Sequence, residues 1–136
     1  MELTYLLDTN ILISMLRYRM DALGPRLRAA SGQVAVSMIS VAELEHGVAR
    51  SSQPDSDGRR VESLLSFVDV LPFDRAAAHY AGRISAYLAT SGMSIGPYDA
   101  LIAGHARSRG LVVVTANMRE FARVPGLECE DWTTSG

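Results

Sequence analysis

The chain has no lysine: all thirteen of its basic residues are arginine. Chemistry that needs an amine side chain, such as a Walker-type nucleotide site or a Schiff base, is thereby excluded. Cysteine is almost as scarce. Cys129 stands alone, which leaves no internal disulfide and no cysteine-built zinc centre. No apolar run approaches the ~20 residues that cross a bilayer, and the opening Met1-Glu2 lacks the basic flank of a secretory signal. A cytoplasmic protein with no membrane contact is expected. A strong excess of one charge is missing as well. With a formal net charge of −2, binding to nucleic acid must come from a local patch rather than from bulk attraction.

What is present is the composition of an ordinary globular protein, 48% hydrophobic and 21% charged. A length of 136 residues suits one domain, 1–136, built on one core.

Short apolar runs alternate with helical spacings along the chain. Leu3 to Leu7 suits a buried strand, and helical spacing resumes from Ile11 to about Met20. Gly24-Pro25 predicts a break before a short helix from Arg26 to Ala30. Residues 33–40, "QVAVSMIS", are rich in β-formers and give way at Ser40 to the helical "VAELEHGVAR". Residues 51–58, "SSQPDSDG", are the most polar and breaker-rich stretch and predict a mobile loop. Val61, Leu64, Leu65 and Val68 return to helical spacing, and Val70 to Phe73 reads as extended. An amphipathic helix is predicted over 75–90 and another from Tyr98 to Arg109, closed by Gly110. "LVVVT" then gives the clearest strand, and "LECEDW" a weak edge strand.

Continuous apolar strands separated by helices imply a parallel sheet covered on both faces, an α/β fold. In such a sheet each helix that follows a strand starts at the strand's carboxyl edge, where ligands bind. Asp8 closes the first strand, Glu43 is expected in the first turn of the helix after the second, and Asp99 in the first turn of the helix leading to "LVVVT". "TANMRE" leaves the same edge with Asn117 and Glu120. Five polar groups from four distant segments are therefore expected at one crevice.

Each has a purely structural alternative. Ser40 with Glu43 forms a capping box, Gly96-Pro97 with Asp99 is an ordinary helix entry, and Asp8, Thr9 or Asn117 can each cap a helix. A cap needs one acid, however, and clustered carboxylates repel unless they are protonated or bridged by cations. Oxygen-only ligands suit Mg²⁺ or Mn²⁺ rather than zinc. One or two such ions would activate a water against a phosphodiester, which points to nucleic acid hydrolysis.

"LLDTNILI", "ISVAELEHG" and "IGPYDALIAGHARSRGLVVVTANMREFARVPGLECEDW" resemble, in order and spacing, the successive blocks of PIN-domain ribonucleases, most closely the VapC-type toxins of bacterial toxin–antitoxin pairs. The resemblance implies a three-layer α/β/α sandwich with a parallel sheet of four or five strands and a Mg²⁺- or Mn²⁺-dependent endoribonuclease. It further implies structured RNA, often tRNA, as substrate, a cognate VapB-type antitoxin as partner, and a homodimer, with the helical segment 57–90 a candidate interface. By position, Asp8, Glu43 and Asp99 are the metal-binding acids. Relatives often carry aspartate where this chain has Asn117, so either Glu120 or the Asn117 amide oxygen completes the set. Asp8 and Asp99 are the expected direct ligands, and Glu43 is either a ligand or the acceptor that deprotonates the attacking water. Thr9 and Thr115 are expected to orient carboxylates.

His46, His79 and His105 are the residues a metal-free ribonuclease would use, but no two are placed together by spacing, and core or surface roles are expected. Arg17, Arg19, Arg26 and Arg28, and Arg107, Arg109, Arg119 and Arg123, are candidates for phosphate contact or for solvated helix faces. Two other readings compete: a binding protein whose acidic crevice captures metal or a basic partner without turnover, and a phosphatase or phosphotransfer domain with Asp8 phosphorylated. The second lacks the further aspartate two positions on and the lysine it would need.

Overall fold

The structure, a computed structural model, describes residues 2–134. Among these, five short parallel strands form one sheet: β1 (Tyr5–Leu7), β2 (Val34–Ser37), β3 (Asp69–Leu71), β4 (Val112–Val114) and β5 (Cys129–Glu130). Their order is β3-β2-β1-β4-β5. The chain builds outward from β1 to β3, then returns to add β4 and β5 on the other side. The seam between β1 and β4 is thus the point at which the winding reverses, the place where open α/β sheets hold ligands.

Helices cover both faces. On one lie α1 (Thr9–Leu16), α2 (Leu23–Ala29), α3 (Met38–Ala49) and α4 (Pro54–Leu65), packed with Leu7, Val34, Val36, Val114 and the buried Trp132. On the other lie α5 (Arg75–Thr90), α6 (Pro97–Arg109) and the short α7 (Met118–Phe121), packed with Leu6, Ala35, Leu71 and Val113. Alternate residues of each strand face alternate layers, as the two-residue period of a strand requires. The three layers and the parallel sheet are those expected. No helix among the described residues is long and apolar enough to cross a membrane.

Several boundaries differ from the reading of the sequence, each for a local reason. Helix α3 starts at Met38 rather than after Ser40, because Ser37 Oγ accepts the Ile39 N–H at 3.1 Å and so caps the helix. The β-forming residues Met38 and Ile39 are overridden. Ser40 is therefore no cap, and Glu43 belongs to the second turn. The predicted break at Gly24-Pro25 falls inside α2, with proline in the first turn, where its missing N–H costs no helix bond. Most of the predicted mobile loop is helix: Pro54 opens α4, and Asp55 and Asp57 face the dipole of its first turn. Ser51 secures the entry, bonding the Asp57 carboxylate and accepting the Gln53 N–H at 2.9 Å. Helix α1 ends at Leu16, short of Met20, and Tyr18 adopts φ +56° as the chain turns away.

Helices α5 and α6 approach very closely. A Cβ built on Gly104 would stand 2.4 Å from Ala81 Cα, so only glycine admits this crossing. The contact sets how closely α6, which carries Asp99, packs on α5.

Candidate active site

Leu7 pairs with both Val36 and Val114. The next residues on the three central strands, Asp8, Ser37 and Thr115, are consequently level with one another at the carboxyl edge. By alternation all three face the α5/α6 layer. All are buried, none more than 1% exposed.

Asp8 follows β1 in extended conformation and precedes α1 without capping it through its side chain. Its Oδ2 accepts the Thr115 hydroxyl at 2.7 Å, across the β1–β4 seam. Burial pushes the Asp8 carboxyl above its usual pKa of 3.8, against the Thr115 bond and the backbone N–H groups of Thr9 and Asn10, and the charge of Glu120 adds to the rise.

The first residue of α1, Thr9, reaches α3. Its hydroxyl donates to Glu43 Oε1 at 2.6 Å and lies 2.8 Å from Ser40 Oγ. Ser40 and Glu43 are three apart on one helix face, so both meet Thr9 from the same side. The capping-box alternative for Ser40 and Glu43 does not hold, since Ser37 caps α3 and Ser40 meets Thr9 instead. The signal for that contact was the three-residue spacing, legible once Ser37 is recognised as the helix start.

Across the crevice, Asp99 sits in the first turn of α6 behind Pro97. Glu120, on α7, accepts the Gly96 N–H at 3.3 Å and the Asn117 amide at 2.6 Å. The same amide nitrogen is 3.5 Å from Asp99 Oδ2, and the Asn117 backbone N–H donates to Thr115 Oγ1 at 2.9 Å. Asn117 therefore caps nothing with its side chain; it ties two acids together.

The Asp99 carboxyl is pushed up to about 7. Burial is the largest cause, followed by the hydrogen bond shared with Glu120 and the charges of Asp8, Glu120 and Glu43. That shared bond holds Glu120 below its usual value. Asp8, Glu43 and Glu120 thus lie within electrostatic range of Asp99, and Asn117 stands between Asp99 and Glu120. Asn10 points to solvent and is outside the group. Among the described residues, no three of the His, Cys, Asp and Glu side chains stand close enough to enclose an ion, so the constellation is open.

The histidines lie apart. His46 is exposed, exposed His79 accepts from Arg83 on its own helix, and His105 is buried against Ser37. They provide no acid–base pair.

An acidic crevice at the switch point of a doubly covered parallel sheet defines a carboxylate-built site on an α/β/α sandwich. Residues 5–127 match the PIN domain, and the chain belongs to the PIN-domain family. It is 43% identical over 131 residues to the tRNA(fMet)-specific endonuclease VapC of Shigella flexneri, covering 96% of this chain and 99% of that protein. Ribonuclease VapC2 of Haemophilus influenzae strain Rd is 40% identical over 130 residues, covering 96% and 98%. Among solved structures, DNA-bound VapBC from Salmonella typhimurium matches with a TM-score of 0.92 at 42% identity, over 96% of this chain and 98% of that one. VapBC2 from Rickettsia felis, bound to a promoter DNA fragment, matches with a TM-score of 0.90 at 31% identity, over 97% and 99%.

Proposed function

We propose that this chain is a divalent-metal-dependent endoribonuclease of the toxin–antitoxin type. It hydrolyses phosphodiester bonds of structured RNA, tRNA foremost, and is held silent by a VapB-type antitoxin as part of a homodimeric assembly. The observation that carries the reading is the meeting of four carboxylates, Asp8, Glu43, Asp99 and Glu120, at one crevice, where burial, the bond shared with Glu120 and the neighbouring charges together push the Asp99 carboxyl up to about 7. A helix cap or surface acid needs no such company. The names of the relatives, endonuclease and ribonuclease, support the reaction class.

The residues fit Mg²⁺ or Mn²⁺ in donor chemistry: carboxylate oxygens and one amide, with no thiolate or imidazole. Asp8, Asp99 and Glu43 would hold the ion, with Asn117 supplying its amide oxygen or Glu120 a further carboxylate. When bound, such an ion neutralises the crowded carboxylates, lowers the pKa of a water and stabilises the leaving oxygen.

The chain's own groups supply the rest. Thr115 and Thr9 fix the orientation of Asp8 and Glu43 through single hydroxyl bonds. Where Asp8 and Asp99 alone hold the ion, Glu43, half-buried and bonded to the Thr9 hydroxyl, would instead accept a proton from the attacking water. Asn117 and the Gly96 N–H hold Glu120 beside Asp99. Arg119 and Arg123 flank this rim, Arg123 bonding the Ser94 carbonyl at 3.0 Å, and are the nearest cations in sequence for RNA phosphates.

The test is incubation of a tRNA pool with purified protein in Mg²⁺ or Mn²⁺, beside EDTA and an Asp99→Asn control. Discrete cuts that need both metal and Asp99 are expected. RNA left intact throughout would instead favour a binding-only crevice.

A further inference from the structure

In the level row Ser37, Asp8, Thr115, the aspartate takes its bond from Thr115. Ser37 turns the other way. Its hydroxyl lies 2.8 Å from His105 Nδ1, on α6, 68 residues further along the chain. His105 is only 1% exposed, its ring edge-on to Phe73 with centroids 5.4 Å apart. Burial lowers its pKa, with the Asp74 carboxylate opposing and the Arg109 guanidinium adding, so the ring is neutral near pH 7.

The same Ser37 hydroxyl accepts the Ile39 N–H that starts α3. One oxygen therefore joins the end of β2, the first turn of α3 and the middle of α6. Helix α3 carries Glu43, and α6 carries Asp99 six residues before His105, about 9 Å along the axis. Apart from the rim bond at Asp99 and the outer bond from Arg107 to the Pro125 carbonyl, the other buried contacts of α6 are apolar, made by Ala100, Ile102, Ala103, Gly104 and Ala106. Apolar burial is by itself non-directional. A hydrogen bond has a required length and angle, and so resists sliding along a helix axis.

We infer that His105 is a positioning residue: its bond to Ser37 sets the axial register of α6 and thereby the place of Asp99 opposite Asp8 and Glu43. The consequence for metal binding rests on the metal-nuclease reading; the structural part does not. A merely core-filling ring would be replaced by any apolar side chain of similar size. Under the inference the polar atom at the Nδ1 position matters, and asparagine serves where leucine fails.

The experiment compares the parent with His105→Leu, His105→Asn and Ser37→Ala, by amide hydrogen exchange on the metal-free protein and by Mn²⁺ titration calorimetry. In His105→Leu, exchange at the amides of Ala100 to Ala103 and of Ile39 is expected to quicken by roughly tenfold or more relative to the middle of α5. Mn²⁺ affinity is expected to fall by about 10- to 100-fold, the range for losing groups that orient ligands. His105→Asn recovers most of both. Exchange that is unchanged or quickened uniformly, or an asparagine variant no better than leucine, overturns the inference. If the leucine variant does not fold, Ser37→Ala keeps the ring, removes the hydroxyl and is read at the amides of Ala100 to Ala103 and by Mn²⁺ affinity, because Ile39 there loses its own acceptor. A parent that binds no Mn²⁺ removes the metal reading instead, and the metal-free exchange comparison still decides whether His105 sets α6.

Discussion

The Thr115 hydroxyl donates to Asp8 Oδ2 at 2.7 Å, across the seam where the winding of the sheet reverses and between residues 107 apart in sequence. Neither residue needs the other for secondary structure. The bond exists because β1 and β4 are neighbours in register and both side chains face the α6 layer. It holds a buried carboxylate in one orientation at the floor of the crevice.

Replacing Thr115 by valine keeps the volume and removes this bond. A hydrogen bond to a charged group contributes about 1.5–3 kcal/mol, so Asp8 should titrate still higher and lose its fixed orientation. Mn²⁺ affinity measured by calorimetry is expected to drop by about 10- to 100-fold. Thr115→Ser, which keeps the hydroxyl, should stay close to the parent. Equal affinities in all three proteins would show that the bond orients nothing.

Asp99 makes the fold pH-dependent. Its folded-state pKa of about 7 lies above the usual 3.8, so the folded protein holds the proton more tightly than the unfolded chain does. The stabilising contribution is complete below about pH 4 and is lost as pH rises through about 7. In metal-free protein, Asp99→Asn should therefore match the parent in Tm near pH 4 and exceed it at pH 8. Adding Mg²⁺ at pH 8 should raise the Tm of the parent, by binding to the folded state alone, and barely move that of the variant. Thermal melts at the two pH values, with and without the ion, decide this. A variant less stable than the parent at pH 8 would contradict the charge crowding.

Two glycines should respond oppositely to alanine. Gly104 leaves no room, since its Cβ would meet backbone atoms of Ala81 at 2.4 Å. Gly104→Ala must push α5 and α6 apart, at a cost of at least about 1–3 kcal/mol, or a fall in Tm on the order of 3–15 °C. Gly82, exposed in the middle of α5, has nothing within 4 Å of its Cβ position. Gly82→Ala should stabilise by about 0.5–1 kcal/mol through helix propensity. Melting curves of the two variants under one buffer provide the comparison.

Much of this was legible in the sequence because the signals were local and strong. Apolar runs such as "LVVVT" announce buried strands, and Gly110 closes α6 at φ +64° where the sequence places a stop. The crossover logic of parallel strands is enough to bring Asp8, Glu43, Asp99, Asn117 and Glu120 to one edge, whereas the strand order β3-β2-β1-β4-β5 appears only in the assembled sheet. The errors share a cause. Polar residues that can cap, break or bond were assigned to whichever role their immediate neighbours suggested. "SSQPDSDG" reads as loop by composition, yet its proline and acids are the opening signals of α4. Ser37, Ser40 and His105 could not be paired from spacing, because their partners come from other strands and helices. Hydrogen bonds between distant side chains are set by register, and register appears only when the sheet is assembled.

In the proposed reaction, water activated at this crevice is the nucleophile. Hydrolysis by water leaves a phosphomonoester on one side of the cut and a free hydroxyl on the other. Attack by the ribose 2′-hydroxyl, the route open to a metal-free ribonuclease, leaves a 2′,3′-cyclic phosphate. The decisive measurement is the chemistry of the RNA ends made by the parent in Mn²⁺, determined by mass spectrometry beside Asp99→Asn and EDTA controls. The account predicts linear phosphate and hydroxyl ends that vanish in both controls. Cyclic phosphate ends, or cuts that persist without the ion or without the Asp99 carboxylate, would contradict it.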